Sequence, residues 1–110
     1  MKICITSEGQ TLDSNLDVRF GRCAYFIIFD IDTKNWEAVK NDNINLTGGA
    51  GIQSAQAVIA KGAKAVISGK MGENAYKTLK TAGIAIYLSS GGKIEEVLEQ
   101  YKLNKLEQMI

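Results

Sequence analysis

Apolar runs in the first half of the chain predict three short strands. Residues 3–7 alternate isoleucine with smaller residues, residues 24–31 are almost entirely apolar or aromatic, and residues 36–40 follow a D-T-K-N turn. Short β-branched and aromatic runs bounded by polar turn residues are typical of strands. Because a short turn joins the second and third strands, we predict an antiparallel meander in this half.

The second half alternates helices with strands. Apolar residues at helical spacing and short apolar runs predict five further elements: helices over 51–61, 73–82 and about 93–106, and strands over 63–68 and 84–88. Gly62 and Gly83 follow the first two helices, where a C-terminal cap is expected. Alternation of this kind implies right-handed crossovers, so the fourth and fifth strands should run parallel to the first. The pattern predicts a mixed α/β sheet.

The bulk composition is that of one ordinary domain, which we expect to span residues 1–110. The chain is 45% hydrophobic and 23% charged, close to globular averages. A formal net charge of +1 gives no overall field toward nucleic acid or an anionic membrane, so we expect neither as a partner. The start of the chain has no leader pattern, and its two cysteines lack a C-x-x-C spacing. We therefore expect a cytoplasmic protein with reduced thiols.

Polar loops should meet at one edge of the predicted sheet. Strands 1, 3, 4 and 5 point one way in this arrangement, and strand 2 runs against them. The loops that reach this edge are residues 7–10, 47–51, 68–72 and 89–92, together with D-V-R-F-G-R-C at 17–23 before strand 2. In open α/β sheets ligands bind in the crevice outside the carboxyl ends of the strands. We expect a binding crevice at this edge.

The segment 17–23 supplies the strongest candidate chemistry. Arg19 and Arg22 flank Gly21 and bring positive charge, and Cys23 brings a thiol. Neighbouring arginines can lower the pKa of a thiol, so Cys23 is either a functional thiolate or a semi-buried packing residue. The arginines either bind a ligand or only form ion pairs with nearby aspartates.

Three glycine-rich loops precede the three predicted helices. They contribute the remaining candidate binding residues: Gly48, Gly49, Gly51, Ser68, Gly69, Met71, Gly72, Ser90 and Gly91. Glycines let backbone N–H groups approach a ligand at the positive end of a helix dipole, so the loops favour an anionic ligand. The glycines could instead only form turns. Met71 is either a soft-metal ligand or a residue that packs on the second helix.

Several motifs occur in an order that resembles one known family. They are R-F-G-R-C-x-Y-F, G-G-A-G-I-Q-x-A-Q, G-A-K-A-V-I-S-G-x-M-G-x-x-A and A-G-I-x-I-Y, and the match runs from about residue 3 to about residue 100. This pattern is similar to the dinitrogenase iron-molybdenum cofactor biosynthesis family, the nitrogenase accessory-factor domain. The resemblance implies a three-layer α/β/α fold with a ribonuclease-H-like motif. Its mixed five-stranded sheet has the order 3-2-1-4-5, with strand 2 antiparallel.

The same resemblance implies a function. A family member of this kind holds an iron-molybdenum cofactor or an iron-sulfur cluster during cofactor assembly and catalyses no reaction. Cys23 would be the thiolate ligand, because such clusters prefer sulfur ligands. Arg19, Arg22 and the glycine-loop amides would neutralise an anionic cluster. The expected partners are metallocluster donor and acceptor proteins, and the expected state is a monomer or a weak homodimer.

Two other classes of function compete with this hypothesis. A module that binds a small anion or a nucleotide could use the same amides and arginines, with Cys23 incidental. A nuclease of the ribonuclease H type needs a carboxylate cluster for two metal ions, and Asp13, Asp17, Asp30 and Asp32 do not clearly form one. The chain also has no histidine and no Walker-type loop, which favours a binding protein over an enzyme.

Overall fold

A six-stranded mixed sheet runs through the middle of the protein. The computed structural model describes residues 1–46 and 48–110. Its strands are β1 Lys2–Ser7, β2 Tyr25–Asp30, β3 Trp36–Lys40, β4 Ala63–Ser68, β5 Ala85–Leu88 and β6 Glu107–Met109, and its helices are α1 Ala50–Ala60, α2 Glu73–Thr81 and α3 Ile94–Lys102. The strand order is β3-β2-β1-β4-β5-β6.

Strand directions confirm the predicted topology. β1 and β4 pair in parallel, as do β4 and β5, whereas β2 is antiparallel to both of its neighbours, β1 and β3. The predicted order 3-2-1-4-5 is therefore present, with one further strand beyond β5. The order changes direction around β1, and the carboxyl ends of β1 and β4 meet there, as expected for a crevice.

The last predicted helix is too long at its C-terminal end. α3 stops at Lys102, because Asn104 adopts a left-handed conformation with φ of 57° and reverses the chain. The following strand β6 pairs antiparallel with β5, which aligns Met109 with Ile86. Met109 also packs against the apolar core on that side of the sheet. The expected five-stranded sheet is thus extended by a short edge strand.

The two faces of the sheet are buried by different helices, which gives the three-layer arrangement. One face packs against α1 and α2 through an apolar cluster: Cys4, Phe26, Ile28, Val66 and Ile86 from the sheet, Ala55 and Val58 from α1, and Ala75 and Leu79 from α2. The other face packs against α3 through a second cluster: Ile3, Ile5, Ile27, Phe29, Ala65 and Ile67 with Ile94, Val97 and Leu98. Leu16, from the loop after β1, joins the second cluster. None of the helices in the described part of the chain has the length and apolar character that crossing a bilayer requires.

Close backbone packing brings the loop before β2 against the start of α1. A Cβ placed on Gly21 would lie 3.0 Å from the amide nitrogen of Gly51 and 3.1 Å from its Cα. A Cβ on Gly51 would in turn lie 3.3 Å from the Cβ of Ala75 in α2. The three segments therefore approach one another at these glycines, and together they form the walls of the site described next.

Candidate anion-binding site

A cavity of about 490 Å³ lies at the predicted edge of the sheet. Its walls are residues 19–22 before β2, residues 49–52 at the start of α1, Lys70 after β4, and residues 72–75 at the start of α2. Six of the candidate residues line it: Arg19, Gly21, Arg22, Gly49, Gly51 and Gly72. The structure therefore brings these six residues together at the edge that the sequence predicted.

The helices α1 and α2 both begin at this cavity with uncapped amides. Gly49 and Gly72 occupy the two N-cap positions and offer no side chain to the first turn. The first helical hydrogen bonds run from Gln53 N to Gly49 O at 2.9 Å and from Tyr76 N to Gly72 O at 3.0 Å. The described residues provide no acceptor for the preceding amides, which belong to 50–52 and 73–75. All six of these residues line the cavity, which therefore combines amides that have no acceptor in the described part of the chain with the positive ends of two helix dipoles.

Three cationic side chains add to this field in different ways. Arg19 is held by Asp17 through contacts of 3.2 Å from Nε to Oδ1 and 3.3 Å from Nη2 to Oδ2. The hydrogen bond and charge of Asp17 raise the pKa of Arg19. Arg22 instead donates from Nη1 to the neutral carbonyl of Ile44 at 2.8 Å. Within the described ranges, neither Arg22 nor Lys70 forms an ion pair, so neither has a protein counter-ion there.

One carboxylate also lines the cavity. Glu73 is the first residue of α2 and forms an ion pair with Lys77, one turn along the helix, at 3.0 Å. Both side chains of this pair are exposed. The walls therefore carry three cations and one acid, and the acid already has a counter-ion outside the cavity. The balance of charge favours an anion.

Cys23 lies behind the cavity wall. Its side chain has 0% exposure and belongs to the apolar cluster under α1 and α2, where Cys4 is also buried. Burial, followed by the negative charge of Asp17, raises the pKa of the Cys23 thiol to about 12, against smaller opposing effects of Asn41 and Arg19. The expected lowering of this pKa by arginine is therefore outweighed. The chain turns inward after Arg22, so the thiol does not reach the exposed edge at which the sequence placed it.

The other candidate residues do not line the cavity. Gly48 is exposed beside it, and the neighbouring Thr47 lies outside the described residues. Ser68 is buried and donates to the carbonyl of Lys70 at 3.2 Å, which shapes the loop after β4. A Cβ on Gly69 would lie 2.6 Å from the Cα of Val18. Met71 is half-buried and packs on the core under α1 and α2, as its packing alternative predicts.

The start of α3 differs from the prediction. Ile94 N donates to Ser14 O at 2.9 Å and Glu95 N donates to Leu12 O at 3.0 Å. The backbone N–H of Lys93 donates to Glu96 Oε1 at 2.9 Å, which is one of the two bonds of a capping box; the lysine side chain cannot accept the other. The loop after β1 therefore occupies this helix start. The residues Ser90 and Gly91 precede it and lie away from the cavity. The start of α3 follows the carboxyl end of β5, at the predicted edge, but it does not line the cavity.

Two buried polar residues that the sequence did not single out support the wall. Asn41 follows β3 with 2% exposure, and Ser54 lies in α1 with 0% exposure. Both donate to the carbonyl of Gly21, at 3.0 Å and 3.1 Å. A sequence pattern could have identified Ser54, since it is a polar residue on the buried face of α1. No sequence pattern marks Asn41, because its partners lie about 20 residues away.

The four aspartates considered for a nuclease site form ion pairs in three different places. Asp13 pairs with Lys93 and Asp17 pairs with Arg19. Asp30 and Asp32 both contact the N-terminal amine. Among the described residues, no three His, Cys, Asp or Glu side chains are grouped so that they could hold a metal ion. The geometry gives no carboxylate cluster of the kind that a two-metal site requires.

The fold and the cavity define a small three-layer α/β protein with a crevice suited to anions at a switch in strand order. Residues 1–104 match the family model described as dinitrogenase iron-molybdenum cofactor. The chain belongs to this family.

Solved structures and a curated relative agree with this assignment. The apo form of the orange protein from Desulfovibrio gigas is 32% identical, with a TM-score of 0.94 over 98% of this chain and 92% of that chain. A putative NifB protein from Thermotoga is 34% identical, with a TM-score of 0.87 over 97% of this chain and 91% of that chain. An uncharacterised protein of Methanocaldococcus jannaschii is 32% identical over 97% of this chain and 94% of its own length. The family and the similar structures fit a role in cofactor biosynthesis or binding.

Proposed function

We propose that this protein carries an anionic metallocluster, an iron-molybdenum cofactor or an iron-sulfur precursor, between donor and acceptor proteins during cofactor assembly. The protein binds its cargo in the 490 Å³ cavity and catalyses no reaction. The observation that carries the proposal is the pair of helix starts, α1 and α2, whose six first-turn residues line one cavity with Arg22 and Lys70 and whose amides have no acceptor among the described residues. Membership in the dinitrogenase iron-molybdenum cofactor family supports the choice of cargo.

The chemistry of the wall argues for an intact anion as the cargo. Amides, guanidinium and ammonium groups donate hydrogen bonds and carry positive charge, but they do not coordinate a bare metal ion. The described residues also lack a group of metal-ligating side chains. We therefore infer that the cluster arrives with its own sulfide or other ligands and is held by charge and hydrogen bonds.

Cys23 as a cluster ligand stays a prediction, and the geometry favours a different role. A thiolate is the form that binds metal, whereas the buried thiol of Cys23 has a pKa of about 12 and is protonated at neutral pH. We propose that Cys23 packs the core behind the wall and that the cargo binds without it.

Anaerobic reconstitution tests this proposal. The protein is incubated with iron and sulfide, with and without molybdate, and then analysed for bound metal and visible absorption. We expect wild type and Cys23→Ser to retain stoichiometric metal, and Arg22→Gln/Lys70→Gln to lose most of it. Lys64→Gln is the matched control, because Lys64 is an exposed residue near the amino end of β4, whereas Lys70 follows its carboxyl end.

The outcomes separate the two binding modes. Loss of metal in Cys23→Ser with an unchanged circular dichroism spectrum would mean that the thiol is a ligand. Equal metal in wild type and in Arg22→Gln/Lys70→Gln would mean that the cavity is not the binding site. Metal-free protein in every sample would remove the support for a metallocluster.

A small anion or a nucleotide is the second candidate cargo. The same six amides would bind phosphate oxygens, since uncapped helix starts are common phosphate sites. A thermal-shift screen of phosphate, oxyanions and nucleotides tests it, because a ligand that binds only the native state raises the melting temperature. This candidate would be favoured if a nucleotide raised the melting temperature of wild type but not of Arg22→Gln, and if the reconstitution samples contained no metal.

A further inference from the structure

A single buried side chain holds the backbone on both sides of Arg22. Asn41 is 2% exposed and follows the last residue of β3. Its Nδ2 donates to the carbonyls of Gly21 at 3.0 Å and Cys23 at 2.9 Å, which flank Arg22 in the chain. Ser54 of α1 donates to the same Gly21 carbonyl at 3.1 Å. The position of the Arg22 backbone therefore depends on these donors.

The same side chain also fixes the group that holds the Arg22 guanidinium. Asn41 Oδ1 accepts a hydrogen bond from the backbone N–H of Asn43 at 3.0 Å, which starts the turn that contains Ile44. The carbonyl of Ile44 accepts from Arg22 Nη1 at 2.8 Å. Asn41 thus sets both the backbone of Arg22 and the acceptor of its side chain, so it defines where this charge lies on the cavity wall.

The two arginines of the cavity are held by different chemistry. Arg19 is held by the carboxylate of Asp17, whose side chain is 5% exposed, so much of its charge is neutralised in place. Among the described residues, Arg22 donates to the neutral carbonyl of Ile44 and pairs with no carboxylate. An uncharged support of this kind orients a cation without competing with an anionic ligand for it.

We propose that Asn41 is a positioning residue that holds Arg22 at the cavity wall as a preorganised cation without a counter-ion. The inference deepens the proposed function and rests on it for the identity of the cargo. It assigns the main anion-binding charge of the loop to Arg22 rather than to Arg19. Asn41 itself does not touch the ligand.

Side-chain NMR tests the positioning without any ligand. The chain has two arginines, so a ¹⁵N-labelled sample gives two Nε–H signals, assigned with Arg19→Lys and Arg22→Lys. In Asn41→Ala we expect the heteronuclear NOE of Arg22 Nε to fall to that of a freely moving side chain, while that of Arg19 stays unchanged. Asn45→Ala, at an exposed asparagine of the same turn, is the matched control and should change neither signal.

Two results would overturn the proposal in this arm. Arg22 Nε could remain as rigid in Asn41→Ala as in wild type, or both arginines could loosen together. Where Asn41→Ala does not fold, Ser54→Ala gives the same readout, because it removes one of the two donors to the Gly21 carbonyl. We expect a smaller loss of rigidity confined to Arg22, and no change in Arg22 would count against the proposal.

Titration calorimetry with molybdate as the probe gives the second arm. Asn41→Ala should weaken molybdate binding about tenfold in the wild-type background, the size of one hydrogen bond to a charged group, and should have no effect in Arg22→Gln. Asn41→Ala should lower the melting temperature equally in the wild-type and Arg22→Gln backgrounds. A merely structural role would also give this result, so the affinities decide. Additive losses of affinity would overturn the proposal. If wild type does not bind molybdate, the proposed function fails for this probe, whereas the NMR arm still decides the role of Asn41.

Discussion

The starts of α1 and α2 differ from the start of α3 although glycine-rich loops precede all three. α1 and α2 begin at a cavity with amides that have no acceptor among the described residues. The first amides of α3 instead donate to Leu12 O and Ser14 O, and Glu96 Oε1 accepts from the Lys93 N–H. The loop after β1 makes the difference, since Leu16 packs into the apolar face under α3 and brings these carbonyls with it. We call a helix start closed when another segment accepts from its first amides, as at α3, and open when no described residue does, as at α1 and α2. Only the amides of an open start are available to a ligand.

The largest expected effect comes from closing the start of α2. Gly72 has an ordinary extended N-cap conformation, and a Cβ there meets no atom within 4 Å. In Gly72→Asp we expect the new carboxylate to accept from the first-turn amides, which stabilises the helix and fills the anion site. Cargo affinity should fall on the order of a hundredfold while the free energy of unfolding rises by a few tenths of a kcal/mol.

The matched variant separates charge from capping. Gly72→Asn caps the helix without adding charge, so its loss of affinity should be smaller than that of Gly72→Asp. Calorimetry with the cargo and urea denaturation measure the two quantities. An unchanged affinity in both variants would show that the open start of α2 does not bind the ligand.

The second effect concerns the core behind the open starts. The folded Cys23 has a pKa of about 12, above its ordinary value of about 9, so the unfolded chain releases this proton first as the pH rises. The contribution of the thiol is therefore fully present below pH 9 and is lost between about pH 9 and 12. Near pH 10.5 the loss should be about 2 kcal/mol.

Urea unfolding of wild type and Cys23→Ala from pH 7 to 11 measures this loss. The free energy of unfolding should decrease less at alkaline pH in Cys23→Ala than in wild type. The decrease that remains should include a contribution from Cys4, because burial also raises the pKa of that thiol. Parallel pH profiles for the two proteins would mean that Cys23 is not a buried neutral thiol. That result would restore the thiol as a candidate ligand.

The smallest effect comes from opening the closed start. Glu96→Ala removes the side-chain acceptor of the Lys93 N–H, so the free energy of unfolding should fall by about 0.5–1 kcal/mol. Cargo affinity should not change, because α3 does not line the cavity. Urea denaturation and calorimetry measure the two quantities. A loss of affinity comparable to that in Gly72→Asp would remove the distinction between open and closed starts.

The features that the sequence predicted are those with a local cause. The first five strands follow from apolar runs, and their directions follow from right-handed crossovers and short turns, whereas their order came from the family resemblance. Arg19, Arg22 and the glycines before α1 and α2 could be placed at one edge because strand direction alone fixes which loops meet there.

The features that the sequence did not predict depend on contacts between distant segments. The closed start of α3 depends on where the loop after β1 packs, about 80 residues away along the chain. The burial of Cys23 depends on how the chain turns after Arg22, and β6 depends on the left-handed residue Asn104. Neither hydrophobic periodicity nor residue type encodes these paths.

The close approach of Gly21 to Gly51 separates the shape of the cavity from its charge. A Cβ on Gly21 would lie 3.0 Å from the Gly51 amide nitrogen, so main-chain atoms alone set the spacing of the two walls at this point. The charges come from other residues, Arg19, Arg22 and Lys70, whose side chains extend from these walls. Substitutions at the charged positions can therefore change which anion is preferred without changing the spacing of the cavity walls.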